Sequence, residues 1–242
     1  MMPLINIITI SFNSEKYLEQ TIQSVINQEY KNINYIIIDG GSKDSSLDII
    51  RKYKEFINVV VSEPDNGIAD AFNKGLQYCK KGLVGFLNSD DYFSSSSSLS
   101  IIARNYVDEQ TIICGSLSLV TLDMKPIKKL KSRPHLLPLG MYVMHPTMYT
   151  PVNLAKKIGK FNISYSIAID YDWTARAVKN NATFKVVEDN LIYMRIGGTS
   201  SDIDKMHKEE EIIRKIYFKN ILLNVIKFIY DLTGTYYYKF FK

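Results

Sequence analysis

In the segment GFLNSDDYF the apolar run 83–87 leads straight into Asn88, Ser89 and two adjacent carboxylates, Asp90 and Asp91. At the end of a buried strand such a doublet repels itself unless a positive charge lies beside it. A divalent cation held by carboxylate oxygen relieves the repulsion, and Mg2+ or Mn2+ commonly keeps positions open for phosphate oxygens. A metal-bound diphosphate is the economical ligand for this pair. Asp39, opening the run DGGS, is suited both to capping a turn and to accepting from a ribose or a base N–H. Thr9 and Ser11 close an earlier apolar run, and SEPDNGIADAFNKG, with Asp70 and Asn73, is a polar, glycine-interrupted loop leading into a helix. His135, His145 and His207 are scattered without zinc-like spacing, so oxygen is the expected ligand atom for any metal.

The elements around these residues explain why they would converge. Residues 4–10 are a β-branched run, and 15–28 carry Leu18, Ile22, Val25 and Ile26 at helical spacing. The alternation repeats with strands at 33–39, 57–62 and 83–88 and helices at 46–53 and 68–79. Four apolar strands alternating with three helices predict a parallel sheet covered on both faces, with ligands beyond the carboxyl ends of its strands. Farther on, the serine run 94–98 is expected to cap a helix at 99–106. A strand follows at 111–120, and residues 123–138, rich in Lys and Pro, are expected to be irregular. Helices at 152–158 and 168–180 and two strands, 183–187 and 191–195, complete the α/β pattern.

The chain has 242 residues and is 46% hydrophobic, enough for a sizeable core. Its formal charge of +5 is spread along the chain, which argues against nucleic acid as a partner. Cys79 and Cys114 have no CxxC partner and are expected to be free thiols. The N-terminal segment lacks the layout of a signal peptide, and no apolar stretch has the length of a membrane span, so a cytoplasmic protein is expected. From residue 204 the chain turns basic, aromatic and amphipathic, and two domains are drawn, 1–203 and 204–242. Docking of this tail on an anionic membrane at the inner face is the favoured reading, with packing on the domain or dimerisation as the alternative.

The segments IITISFNSEKYLEQTIQSVINQEYKNINYIIIDGGSKDSSLDIIRKY, SEPDNGIADAFNKG and GFLNSDDYF, in this order and spacing, resemble the family 2 inverting glycosyltransferases of the GT-A fold, especially bacterial enzymes of cell-surface polysaccharide synthesis. The likeness is dense over residues 4–93 and continues through MHPTMY, AIDYDW and IGGTS. It implies a Rossmann-like, mostly parallel sheet and a nucleotide-sugar donor, most simply UDP-linked, held by Thr9, Ser11, Asp39, Asp70, Asn73, Ser89 and Asp90. Asp90 and Asp91 match the acidic metal motif, Asn88 replacing its first carboxylate, with Asp91 as ligand to Mn2+ or Mg2+ and Asp90 on the ribose or behind the metal. Asp170 matches the general base, although Ile169 stands where many relatives have glutamate; Asp172 is the alternative and Asp189 a third. His145 falls on the acceptor side, where a glycan or lipid-linked acceptor is implied, and Trp173 is expected in the core.

These parts answer a chemical need. Expelling a nucleoside diphosphate builds charge on the leaving oxygen, which a cation stabilises, and the attacking hydroxyl must lose its proton to a carboxylate across the pocket. At a helix start the dipole is expected to keep Asp170 ionised. A sugar-phosphate nucleotidyltransferase would show a Gly-rich basic phosphate loop, which ISFNSEKY lacks; a non-catalytic sugar-nucleotide or glycan-binding module is the other alternative.

Overall fold

A computed structural model describes residues 2–197 and 202–219. The first four apolar runs become β1 (Ile5–Ser11), β2 (Ile33–Asp39), β3 (Val59–Ser62) and β4 (Leu83–Asn88), all parallel and side by side in the order β3-β2-β1-β4. The helices α1 (Leu18–Ile26), α2 (Ser46–Lys52) and α3 (Ile68–Leu76) connect them. Register brings their polar ends level: Ser11 pairs with Asp39, and Ile10 with Asn88. Because strand side chains alternate between faces, Ile5, Ile7, Tyr35 and Ile37 enter one core layer, while Ile8, Ile10, Ile36 and Ile38 enter the other. Gly75 lets α3 lie directly on β1, since a Cβ there would stand 2.5 Å from a methyl of Ile8.

The rest of the sheet is mixed. Strand β8 (Tyr149–Pro151) runs antiparallel to β4, β6 (Thr111–Val120) antiparallel to β8, and β9 (Thr183–Arg195) parallel to β6. The short β5 (Tyr92–Phe93), immediately after the acidic doublet, pairs antiparallel with β9, Tyr92 opposite Tyr193. Continued backward, that register sets Asp90 opposite Arg195. The remaining helices are α4 (Ser98–Arg104), α5 (Val152–Ile158), α6 (Ile169–Lys179) and α7 (Ile203–Tyr217).

Three local expectations are corrected. The stretch 123–138 holds a strand, β7 (Pro126–Lys131), paired with β6 from Ser116↔Lys131 to Val120↔Pro126, and a 3-10 helix at Pro134–Leu139. Proline at a strand start and repeated lysines suit an edge strand. The two strands expected at 183–187 and 191–195 are one, β9, whose pairing slips beside Ser116. The serine run does not cap α4: Leu99 N–H donates to Gln28 Oε1 at 2.9 Å, and Ser98 donates to the Leu191 carbonyl.

The start of the basic tail packs on the domain. Ile213 and Phe218 are buried, Phe218 stacks on Tyr171 at 6.1 Å, and Glu209 accepts from the amides of Ser166, Ile167 and Ala168 ahead of α6. The membrane and dimer readings of the tail beyond 219, and 198–200 of IGGTS, lie outside the described residues. No helix among the described residues is long and apolar enough to cross a membrane. Cys79 and Cys114 are free.

Candidate active site

Two cavities meet at the doublet. The first, about 590 Å³, is a groove beyond β1 and β4 lined by Ser11, Phe12, Asn13, Lys16, Asp65, Ser89 and Asp90, among others. The second, about 360 Å³, is lined by Asp90, Asp91, His145, Asp170 and Arg195, among others. Asn88 and Asp90 border both. The turn that ends β4 is thus a wall shared by a groove and a pocket carrying a carboxylate from α6.

In the groove, Ser11 presents a buried hydroxyl with no partner, and Ser89 exchanges a hydrogen bond with Ser14 at 2.7 Å. Phe12 is 63% exposed, an apolar ring left in solvent at the groove's edge. Four expected donor contacts do not open onto it. Thr9 points into the layer of Ile5 and Ile7, is fully buried, and shares a hydrogen bond with the Tyr35 hydroxyl at 3.2 Å. Asp39 is also fully buried, and its carboxylate accepts from the amides of Gly41 and Ser42 and from the hydroxyls of Ser42 and Ser62. It organises the loop after β2. Asn73 is bonded both ways to the Phe161 backbone, and Asp70 accepts from Asn66 N–H at 3.0 Å and faces Lys74. These two tie α3 to its surroundings. Asn13, Lys16 and Asp65 line the groove instead; they fall within the segments ISFNSEKY and SEPDNGIADAFNKG but carried no role of their own there.

The doublet itself is short of partners. Asp91 is 1% exposed, and its carboxylate has a long hydrogen bond of 3.4 Å from the Asn88 amide. Burial, then the neighbouring Asp90 charge, hold the Asp91 carboxyl well above the usual carboxylate range, and burial raises Asp90 as well. The nearby cation is Arg195, 4% exposed, with its guanidinium carbon 4.3 Å from the Tyr17 ring centre and 5.1 Å from that of Tyr92. Its guanidinium donates to Gln20 and to the backbone carbonyl of Asp90 and lowers both carboxyls by charge alone, while the Arg195 backbone N–H adds a second lowering influence on Asp91. Nothing in the sequence pointed to Arg195; only the β5–β9 pairing brings it here. The oxygens of Asn88, Asp90 and Asp91 therefore form a hard donor set short of positive charge, which fits Mg2+ or Mn2+. Among the described residues no three His, Cys, Asp or Glu side chains cluster to enclose a metal, so such an ion would complete its shell with substrate or water oxygens.

Across the pocket, Asp170 keeps partial exposure at the first turn of α6. Its carboxyl rises to about 6, chiefly through burial, although the Tyr171 amide donates to it. The expected helix-dipole effect loses to desolvation. Asp172 lies two residues on, roughly 200° around the helix, and leaves the pocket. It is 2% exposed, takes Arg176 at 2.7 and 3.0 Å, and accepts from the Tyr217 hydroxyl. Asp172 is thus held in an ion pair outside the pocket, and Asp189, exposed on β9, borders neither cavity. Asp172→Asn is expected to destabilise the fold by about 2–3 kcal/mol by stranding Arg176, read as a lowered Tm at unchanged UDP affinity below the transition.

His145 borders the same pocket. Its ring stacks on Phe86 at 5.3 Å, its Nε2 is buried without a partner, and burial lowers it to about 4, so the imidazole is neutral. It can offer an acceptor a hydrogen bond but not charge to a phosphate. Trp173 is core: fully buried, stacked on Phe161 at 5.1 Å and bonded to the Gly159 carbonyl.

The family model for glycosyl transferase family 2 matches residues 6–172. An uncharacterized glycosyltransferase of Mycobacterium tuberculosis is 31% identical over 180 residues, covering 72% of this chain and 69% of the relative. Among solved structures, S. aureus TarS in complex with UDP-GlcNAc aligns with a TM-score of 0.66 at 20% identity, over 80% of this chain and 59% of that one. Mannosyltransferase PcManGT from Pyrobaculum calidifontis, in complex with GDP-Man and Mn2+, aligns with a TM-score of 0.64 at 16% identity, over 94% of this chain and 65% of that one. The chain thus spans less than two thirds of either solved chain, and both likenesses show the GT-A fold.

Proposed function

The chain belongs to glycosyl transferase family 2, and from that premise we propose that this glycosyltransferase moves a sugar from a UDP-linked donor to a hydroxyl of a glycan or lipid-linked acceptor, with inversion, in surface polysaccharide synthesis at the cytoplasmic membrane face. The observation that carries the reading is the shared wall: Asp90 borders both the groove and the pocket in which Asp170 stands. The nucleoside lies in the groove, with Phe12 against the base and the Ser11 hydroxyl as a polar contact. Lys16, on the same groove, offers a cation to the diphosphate.

Asp91, with Asp90 and Asn88, would hold a divalent cation. When bound, that ion neutralises the charge growing on the leaving diphosphate. Arg195 fixes the Asp90 carbonyl and with it the turn that carries both carboxylates. On the pocket side Asp170 takes the proton from the acceptor hydroxyl as it attacks the anomeric carbon from the face opposite the diphosphate, a single displacement that inverts the centre. The apolar walls from Ile68, Phe72 and Ile169 restrict water around that carboxylate, and His145 offers the acceptor a neutral partner.

The reading is tested by following UDP-sugar breakdown in the purified chain with Mn2+ and no acceptor. Asp170 must be ionised to act, so the rate should fall below about pH 6 with unit slope and level off above it. A rate indifferent to chelator, or flat between about pH 4.5 and 8, would contradict it.

A further inference from the structure

A cavity of about 670 Å³ that the reaction does not use lies against β7, lined in part by Lys128, Lys129, Lys131, Arg133, Tyr142 and Glu188. Four cations thus line the cavity beside one carboxylate, Lys129 and Lys131 on the Glu188 face of β7 and Lys128 around its edge on the other. Glu188 pairs with Lys131, and its backbone carbonyl takes the Lys129 ammonium at 3.3 Å, while Lys128 and Arg133 have no acidic partner among the described residues. Lysines that only guard a sheet edge need no cavity behind them. Here the far wall is fixed: the buried Ser132 hydroxyl donates to the Gly115 carbonyl at 2.7 Å and accepts from Met144 N–H at 2.9 Å, and Arg133 N–H donates to the Tyr142 carbonyl at 2.7 Å. Tyr142, 41% exposed, adds an aromatic face of the kind on which a sugar ring packs.

Two backbone links connect this cavity to the pocket of Asp170, although no residue lines both. Leu119, which borders that pocket, is the β6 partner of Lys128. Met144 borders the basic cavity, and the next residue, His145, borders the pocket.

We propose that the basic cavity beside β7 binds a carboxylate or phosphate group of an anionic glycan acceptor, some distance back from its reacting hydroxyl. The proposal rests on Asp170 marking the acceptor side. It makes charge on the acceptor a specificity element: Lys128, Lys129 and Arg133 hold the anion, Tyr142 the ring, and the terminal hydroxyl is delivered to the pocket.

The test is calorimetric titration of the full chain, loaded with UDP and Mn2+, with a hyaluronan hexasaccharide as anionic probe and maltohexaose as neutral probe. The anionic probe is expected to bind, to weaken as salt is raised, and to lose at least about tenfold in affinity in Lys128→Glu/Lys129→Glu; the neutral probe is expected to bind far more weakly. Should the double reversal misfold, Lys128→Gln/Lys129→Gln is expected to show the same loss in smaller degree. Equal binding of both probes, or unchanged affinity of a folded variant, overturns the proposal. So does adsorption to phosphatidylglycerol vesicles that the hexasaccharide does not compete away, which would assign the surface to lipid. UDP binding by the wild-type chain, measured first, separates the outcomes: its absence counts against the donor reading, and its presence without glycan binding counts against this site alone.

Discussion

Asp170→Asn is expected to lower turnover by about 10²–10⁴-fold, the usual contribution of a positioned general base, while UDP with Mn2+ still binds with wild-type affinity. The amide keeps the shape of the side chain and cannot accept the hydroxyl proton. A second effect runs opposite to the first. A carboxyl raised to about 6 is penalised when ionised, so the stability it contributes is present below the unfolded value near 4 and is lost as pH rises through 6. At neutral pH the Asn variant, with no charge to desolvate, should be more stable by about 1–2 kcal/mol, since Asp170 keeps some exposed surface. A higher Tm with lost turnover is the signature of a strained functional carboxylate, and normal turnover would assign the base elsewhere.

Asp91→Ala is expected to abolish the dependence of donor binding on metal. In the wild type, UDP and Mn2+ together at about 100 times Kd should stabilise the fold by about 2.7 kcal/mol, a Tm rise of roughly 5–10 °C for a chain of this size; each alone should do much less. In the variant the combined shift should shrink to that of UDP alone, and turnover should drop by about 10³-fold or more through loss of charge stabilisation at the leaving group. Ionisation of Asp91 is opposed by burial and by Asp90. Metal binding, which requires the carboxylate, should therefore tighten as pH rises.

The alternating apolar runs made the parallel half of the sheet legible, and β4 ends at Asn88 as its composition requires. What the sequence withheld was direction. Thr9 and Asp39 sit at strand ends, as expected of ligand contacts, but the two-residue alternation turns Thr9 into the core and the DGGS turn closes on Asp39. Asp170 and Asp172 look equivalent in AIDYDW, and only the rotation of α6 separates pocket carboxylate from ion-pair partner. Arg195 carried no local signal, because its relation to Asp90 depends on strands about a hundred residues apart in the chain. The β7 edge was hidden by its own lysines and proline, which lower strand propensity where pairing with β6 overrides it.

The central claim is that the Asp90–Asp91 turn grips a diphosphate through a divalent cation within reach of Asp170. Phosphorus-31 relaxation of UDP in the presence of the protein and Mn2+ addresses it directly. Strong paramagnetic broadening of both phosphorus signals with the wild-type chain, absent with Asp91→Ala, is the predicted result. Broadening that persists undiminished in that variant, or UDP that binds equally well once Mn2+ is removed, would contradict it.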